Sequence, residues 1–467
     1  MKCRTVLPVL AIMVLSLFCT ADYTKQIQDS ERLFYTGKYL EAARGILPMV
    51  NDEGSDQLLF MMECGLMLHA GGDFEKSNQI LLKAGELADK ITISVSKTAA
   101  SLFLNDTVTN YRGEDFEIVL IHMYLGINYM MLNKPEDARV EFKKVDNLLR
   151  GIKEEGGGKY KMNLMAKYLY GIAFEVSAVE MKDSNDFNDA LIEYKQINQL
   201  DPSFSDVKLD ILRMAKALGD DEDYAKYAAR FGKLDKAVPQ NSGELIMIYH
   251  SGQGAIKQSR GKLLDDVKMK TAINVSVNSM TLKEGVTLAG IFAALALADN
   301  PIPKFAKRSN QIARLRMNAG GVDCGSTYLL EDIENTAVKN LEEQYSSMYA
   351  KVAAGVAVKV VASITAGIVA KQTAKAVGGK VGKLAGLIGA GVGAGVGAGL
   401  GSTIKPDLRC WHTLPANLQI RRFFIKPGNY DVNVDLIDAK GAVTQTKTEK
   451  LSVATGKKTL LNFRTLF

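Results

Sequence analysis

Across 467 residues the chain has one tryptophan, four histidines, five cysteines and ten prolines, and aromatics make up 7%. The histidines stand apart at 69, 122, 250 and 412, so no HExxH pair or zinc-ligand cluster arises from sequence neighbours. There is no phosphate-binding glycine loop and no strand–turn–helix nucleophile motif. Carboxylates such as Glu331 and Asp332 fit the start of a helix better than an acid–base pair. The expectation is a protein that is not an enzyme and carries no cofactor and no metal. Cys410 and His412 flank Trp411, but two ligand types without a second cluster make no metal site. Cys64 sits among apolar residues, as a small buried thiol does. Whether Cys324 and Cys410 pair in an oxidising compartment is open from sequence. The basic–aromatic motifs of nucleic-acid binding are missing, so no nucleic-acid partner is expected.

Charge is unevenly spread. Residues 1–236 hold 29 Lys and Arg against 36 Asp and Glu, a net −7, whereas 237–467 hold 29 against 16, a net +13. The break coincides with Val238-Pro239-Gln240-Asn241-Ser242-Gly243, which sets a domain boundary. A basic half suits anionic lipid, anionic glycan or an acidic partner. At the N-terminus, Lys2 and Arg4 precede a 13-residue apolar run, Val6–Phe18, too short for a permanent span. Residues 1–21 therefore read as a secretory signal. Either Cys19 is the lipidated first residue of a lipoprotein, or cleavage falls after Ala21. Both predict an extracytoplasmic protein.

The sharpest pattern is Leu125-Gly126-x-x-Tyr129, then Asn133, Ala138 and Phe142. Gly126 and Ala138 are small where two helices would touch, and Tyr129 and Phe142 fill the surrounding space. This resembles the tetratricopeptide repeat. Gly37–Ala42, Gly65–Ser77, and Asn185–Ala190 with Tyr194 and Pro202 repeat parts of it, Pro202 standing where a helix must stop. Residues 90–115 and 176–186 read as insertions. The resemblance implies a helical array over 22–236 that binds another protein along the groove lined by the first helix of each repeat, where His122 and Asn128 are candidate contacts.

Beyond the boundary the period changes. Leu245–Tyr249 reads as a strand, as do Ile273-Val275-Val277 alternating with Asn and Ser, and Ala313-Leu315-Met317 alternating with Arg314 and Arg316. Val286–Ala298 suits a buried helix or paired strands. Ile333 to Val352 carries the apolar stripe of a long helix. Leu384–Gly401 is eighteen residues without a charge, preceded by Gly378, Gly382 and Gly386, and resembles glycine-zipper segments of envelope lipoproteins. The expectation for 377–404 is packing within the protein or against a sister copy; the alternative is a membrane-inserting hairpin. After Pro427-Gly428, Tyr430 to Leu436 alternates as a strand, and turns follow at 438–441 and 455–458.

The expected fold is thus multidomain α+β: a signal peptide at 1–21, an all-α repeat array at 22–236, a mixed α/β module with a long helix and Gly-rich segment at 243–405, and a small β-sandwich at 406–467. Asp407–Pro415, Gln419-Ile420-x-Arg422 and Pro427-Gly428-x-Tyr430 resemble an uncharacterised family of bacterial envelope lipoproteins with tetratricopeptide repeats. That resemblance implies a periplasmic or outer-membrane scaffold, lipid-anchored through Cys19, holding an envelope protein of unknown identity in cell-wall or outer-membrane assembly, with self-association open. The alternative is a membrane-inserting or pore-associated component using 377–404. Arg409, Trp411 and Arg422 are either a contact site, as Trp and Arg favour, or a structural set in which the Trp plugs the sandwich against the preceding helix while the arginines pair with acids.

Overall fold

The computed structural model describes residues 23–98, 110–156, 163–181, 183–233, 238–239, 241–376 and 404–467. The signal segment with Cys19 and the glycine-rich stretch 377–403 lie outside the described residues.

Ten helices form five antiparallel pairs: α1 (Tyr23–Tyr35) with α2 (Tyr39–Val50), α3 (Gln57–Ala70) with α4 (Phe74–Thr98), α5 (Asp115–Met131) with α6 (Pro135–Gly156), α7 (Leu164–Met181) with α8 (Ser184–Leu200), and α9 (Ser205–Leu218) with α10 (Asp221–Phe231). Gly37, Gly72 and Asn133 take left-handed backbone at the turns of the first three pairs, which ends one helix sharply before the next begins. Each later pair stacks on the one before. A Cβ built on Gly126 runs into the Phe142 ring, and one on Gly171 comes within 2.5 Å of the Tyr194 ring. Small residues at these points set how closely inner and outer helices approach. Ala138 and Ala190 are fully buried at the facing positions, and Pro202 lies just past the end of α8. The N-terminal half is a tetratricopeptide-like helical array.

The inner helices α3, α5 and α7 are buried along almost their whole length. A helix apolar on every side must be covered on every side. The outer helices cover one flank, and a β-sheet covers the other. That sheet has the order β10 (Lys458–Arg464), β1 (Gly243–Ser251), β7 (Asn417–Ile425), β6 (Tyr328–Glu331). A second sheet, β5 (Val322–Ser326), β4 (Ile312–Ala319), β8 (Gly428–Asp438), β9 (Val443–Val453), packs behind it. The two-residue period of β1 divides its side chains between the layers. Leu245, Met247 and Tyr249 join Leu315, Met317, Val432, Val434 and Leu436 between the sheets. Ile246 and Ile248 instead join Leu418, Ile420 and the inner helices. A short β2 (Ile256–Gln258) pairs with β3 (Lys304–Ala306).

Two expectations change. Residues 406–467 do not close a sandwich alone, because β1 pairs with β7 and β10, and β4 pairs with β8. Both sheets draw on 243–331, so no structural break falls at 405. The expected strand at 272–278 is helical, within α11 (Val267–Asn278). Asp266 caps it by accepting from the Met269 amide, and Met269, Ile273 and Val277 share one buried face at four-residue spacing, leaving Val275 exposed. The alternation of β-branched residues was outweighed by the cap and by that face. Val286–Ala298 contains α12 (Leu288–Leu295), capped by Thr287. Both pack on the outer part of the long helix α13 (Ile333–Ala376).

Replacing Gly126 with valine forces the Phe142 ring aside and should cost about 1–3 kcal/mol by overpacking. The urea midpoint measures it; an unchanged midpoint contradicts the close approach assigned to Gly126.

Candidate interaction groove

The groove inside the array is occupied by the chain's own C-terminal half. Residues 407–416 cross the inner helices without regular structure, turning at His412-Thr413, and inner-helix carboxylates bind their main chain. Glu63 of α3 accepts from the His412 amide at 2.6 Å, the Thr413 amide at 3.2 Å and the Thr413 hydroxyl at 2.5 Å. The Tyr23 hydroxyl donates to Glu63 at 2.8 Å. Glu117 of α5 accepts from the Trp411 amide at 2.7 Å. The His412 carbonyl accepts from Tyr35 and Arg308. Arg409 bonds Asp407 and reaches Asp56 at 2.7 Å.

At the far end, Arg422 of β7 is 1% exposed on its side chain. Its guanidinium donates to Glu175 of α7 at 2.7 and 2.8 Å, contacts Asp210 of α9 at 3.1 Å, and reaches Glu244 of β1 at 2.5 and 3.1 Å. Its amide donates to Asp206 at 3.1 Å. Arg213 and Lys458 join the cluster. Two arginines and a lysine thus face Glu175, Asp210 and Glu244, while Arg421 pairs with Asp206, and the cluster is nearly neutral. Burial alone would raise the Glu175 carboxyl, but Arg213 and Arg422 outweigh it and hold Glu175 well below the usual range. Glu117 has only the more distant Lys257 charge and lies beside Glu114, so burial and that like charge push it up to about 7. Burial likewise raises Glu63.

Between these ends lies a chain of neutral groups. The Tyr124 hydroxyl donates to His250 Nδ1 (3.2 Å), and His250 Nε2 donates to Asn462 Oδ1 (2.6 Å). Asn462 donates to His69 Nε2 (3.1 Å), and His69 Nδ1 donates to Asn128 Oδ1 (2.6 Å). Asn128 passes its own protons to Ser77 and Asn78. Each ring then has one donating and one accepting nitrogen, the pattern of neutral imidazole. Burial drives His69 down to about 4, and burial and the nearby His69 drive His250 well below its usual value.

The sequence-predicted contact residues are therefore mostly inside. Asn128 is fully buried and serves the seam between the halves, so it is not a free groove contact. His122 is half-buried and pairs with Glu141 at 2.7 Å. Trp411 is 1% exposed, its ring 6.0 Å from that of Tyr124. Arg409 and Arg422 pair with acids, and Trp411 lies beside Tyr124 of α5, so all three face the repeats. Cys324 lies between the sheets and Cys410 against the array, both as free thiols. Glu63, Glu117, Glu175 and Asp210 were missed by sequence reasoning. A lone acid inside an otherwise apolar run, as in Met61-Met62-Glu63-Cys64, was the available signal. Among the described residues no group of three or more His, Cys, Asp or Glu is placed to hold a metal ion.

No family model matches the chain, and no curated protein matches its sequence. Among solved structures, a putative kinesin light chain of Podosopora anserina with nearly identical TPR-like repeats is 12% identical, covering 44% of this chain and 92% of that chain with a TM-score of 0.31. MamA from Desulfovibrio magneticus RS-1 is 14% identical, covering 47% of this chain and 98% of that chain with a TM-score of 0.29.

Acid should act through the histidine chain. A His69 pKa lowered from 6.5 to about 4 means the unfolded chain takes up a proton that the native protein refuses, so this group's effect is loss of stability as pH falls from 6.5 to 4. Glu117, raised to about 7, acts oppositely: its proton favours the native state, and that stability is lost as pH rises from about 4.5 to 7. Wild-type stability should therefore gain on that of His69→Gln by up to about 3 kcal/mol between pH 4 and 6.5, at about 1.36 kcal/mol per unit. Urea titrations across that range measure the gap; a constant gap contradicts the neutral buried pair.

Proposed function

We propose that the protein is a non-enzymatic interaction scaffold of the cell envelope, with its repeat array and sandwich joined as one body. The signal-like start and Cys19 support the envelope address and a lipid anchor; the partner is another envelope protein, in cell-wall or outer-membrane assembly. The observation that carries this reading is that the inner groove is filled from within while the outer helices stay open. Leu47 of α2, Leu82 of α4, Val140 of α6 and Ile192 of α8 each stand exposed on successive outer helices. The groove supplies internal rigidity, and the outer face is where a partner docks.

A second reading has its own observation. Ile333–Val369 of α13 is long and apolar enough to cross a membrane, with mean hydropathy 2.1 over its most apolar window and only 28% of that window buried. It supports a membrane-associated component acting through this helix and the segment that follows.

Val140→Glu combined with Ile192→Glu should shift stability by no more than about 0.5 kcal/mol, as surface changes do, and should sharply reduce partner recovery after crosslinking in intact cells. Full recovery with both substitutions removes the outer-face reading. Extraction separates the two readings: after Cys19→Ser the scaffold leaves with carbonate, while a membrane-inserted component needs detergent.

A further inference from the structure

β9 is an edge of the second sheet, hydrogen-bonded to β8 on one side and, among the described residues, to no strand on the other. An open edge is a row of unpaired N–H and C=O groups, which native proteins blunt with proline, bulges or short length. β9 is eleven residues long and holds no proline or glycine. Its one irregularity is a bulge at Thr444, where Leu436 pairs with Gln445 but Ile437 with Val443. Near its other end the Ser452 carbonyl accepts from the Thr459 hydroxyl of β10. These two features bound the open stretch at 445–451, whose midpoint is Thr448.

The charges of this stretch lack partners within the chain. Lys447 lies opposite Val434 of β8, and Glu449 opposite Val432. All four side chains share the face that turns toward the first sheet, where both valines are buried. Lys447 rests over the Phe463 ring at 5.3 Å, and neither it nor Glu449 forms an ion pair among the described residues. On the outer face Thr446 donates to Asp435 at 2.6 Å and Thr448 to Asn433 at 2.8 Å. These hydroxyls turn back to β8, away from the edge.

The symmetry of the stretch identifies its occupant. A two-fold axis normal to a sheet sets two copies of an edge strand antiparallel with matching faces. With the axis at Thr448, Lys447 of each copy faces Glu449 of the other, so the unlike pair forms twice. Thr446 then faces Lys450, and Gln445 faces Leu451. Moving the axis by one residue sets Lys447 against Lys447 or Glu449 against Glu449, and like charges directly opposite are unfavourable. Moving it by two loses the unlike pairs.

We propose that β9 is a self-association edge: two copies of this chain pair their β9 strands antiparallel about Thr448, joining their four-stranded second sheets into one continuous sheet. A single strand pair is a small interface, so the association is weak and depends on concentration. The contact goes beyond the scaffold reading and lies apart from the outer helices, so its failure leaves that reading untouched.

The test is sedimentation velocity of the purified full chain from micromolar to submillimolar concentration, with charge exchange across the axis. Wild type should pass from monomer to dimer over that range. Lys447→Glu and Glu449→Lys each set like charges opposite one another twice and should raise the dissociation constant at least about tenfold. The two substitutions together should return it to near the wild-type value. Thr448→Cys gives a second readout. Residues facing each other at the axis lie about 4.5–5.5 Å apart at Cα, within disulfide reach, so mild oxidation should link the dimer. Thr446→Cys carries the same native thiols but faces Lys450, and should not link. A monomer at every concentration overturns the proposal. A dimer unmoved by the single substitutions, or not restored by the exchange, also overturns it, because the contact then lies elsewhere. If a charge variant fails to fold, the cysteine pair decides: linkage through Thr446→Cys equal to that through Thr448→Cys, or none through either, overturns the pairing about Thr448.

Discussion

Carboxylates on the inner helices dictate how the two halves meet. Glu63, Glu117, Glu175, Asp206 and Asp210 are all buried, and a buried charge without a partner costs several kcal/mol. The array supplies Tyr23, Tyr111, Tyr168, Tyr194 and Arg213 as partners, and the other half adds the amides of Trp411, His412, Thr413 and Arg422 and the Arg422 guanidinium. Removing one member of such a cluster typically costs about 3–5 kcal/mol, because the charge left behind is stranded. Parting the halves would strip each of these carboxylates of at least one of its donors. The net −7 of the first half and +13 of the second follow the same division.

That constraint assigns the repeat groove a different task from the one its fold suggests. Stacked helical hairpins leave a concave surface suited to extended peptides. Here a segment that turns at His412-Thr413 sits in it, bound through its main chain, but it is residues 407–416 of the same molecule. The sheet behind that segment then seals the groove, with Ile246, Ile248, Leu418 and Ile420 against the inner helices. The groove is thus filled by a segment that cannot diffuse away, because it is part of the chain that forms the groove.

Much of the helical half was legible. Gly126, Ala138 and Phe142 announce a close helix pair because small-against-large spacing is local in sequence. In the sandwich β1, β4 and β8 were legible, but β5, β6 and β7 were not, nor was the assembly: Glu244 pairs with Lys458, more than two hundred residues away, and no periodicity encodes such pairing. α11 was misread because Ile273 and Val277 satisfy both a two-residue and a four-residue period. Among the site residues, Arg409, Trp411 and Arg422 were singled out correctly as unusual, but their partners lie on five different helices and strands. Asn128 looked like a free polar contact because nothing in its own repeat shows that His69 waits beside it.

The lone tryptophan reports on the seam itself, because Trp411 is buried between the inner helices and the sheet. Equilibrium urea unfolding followed at once by Trp411 fluorescence and by far-ultraviolet circular dichroism, dominated by the repeat helices, tests the central claim most directly. If the halves depend on each other through the buried carboxylates, the two signals trace a single coincident transition. A fluorescence change complete while most of the helical signal persists would show repeats that stand without the sandwich, and would contradict the account.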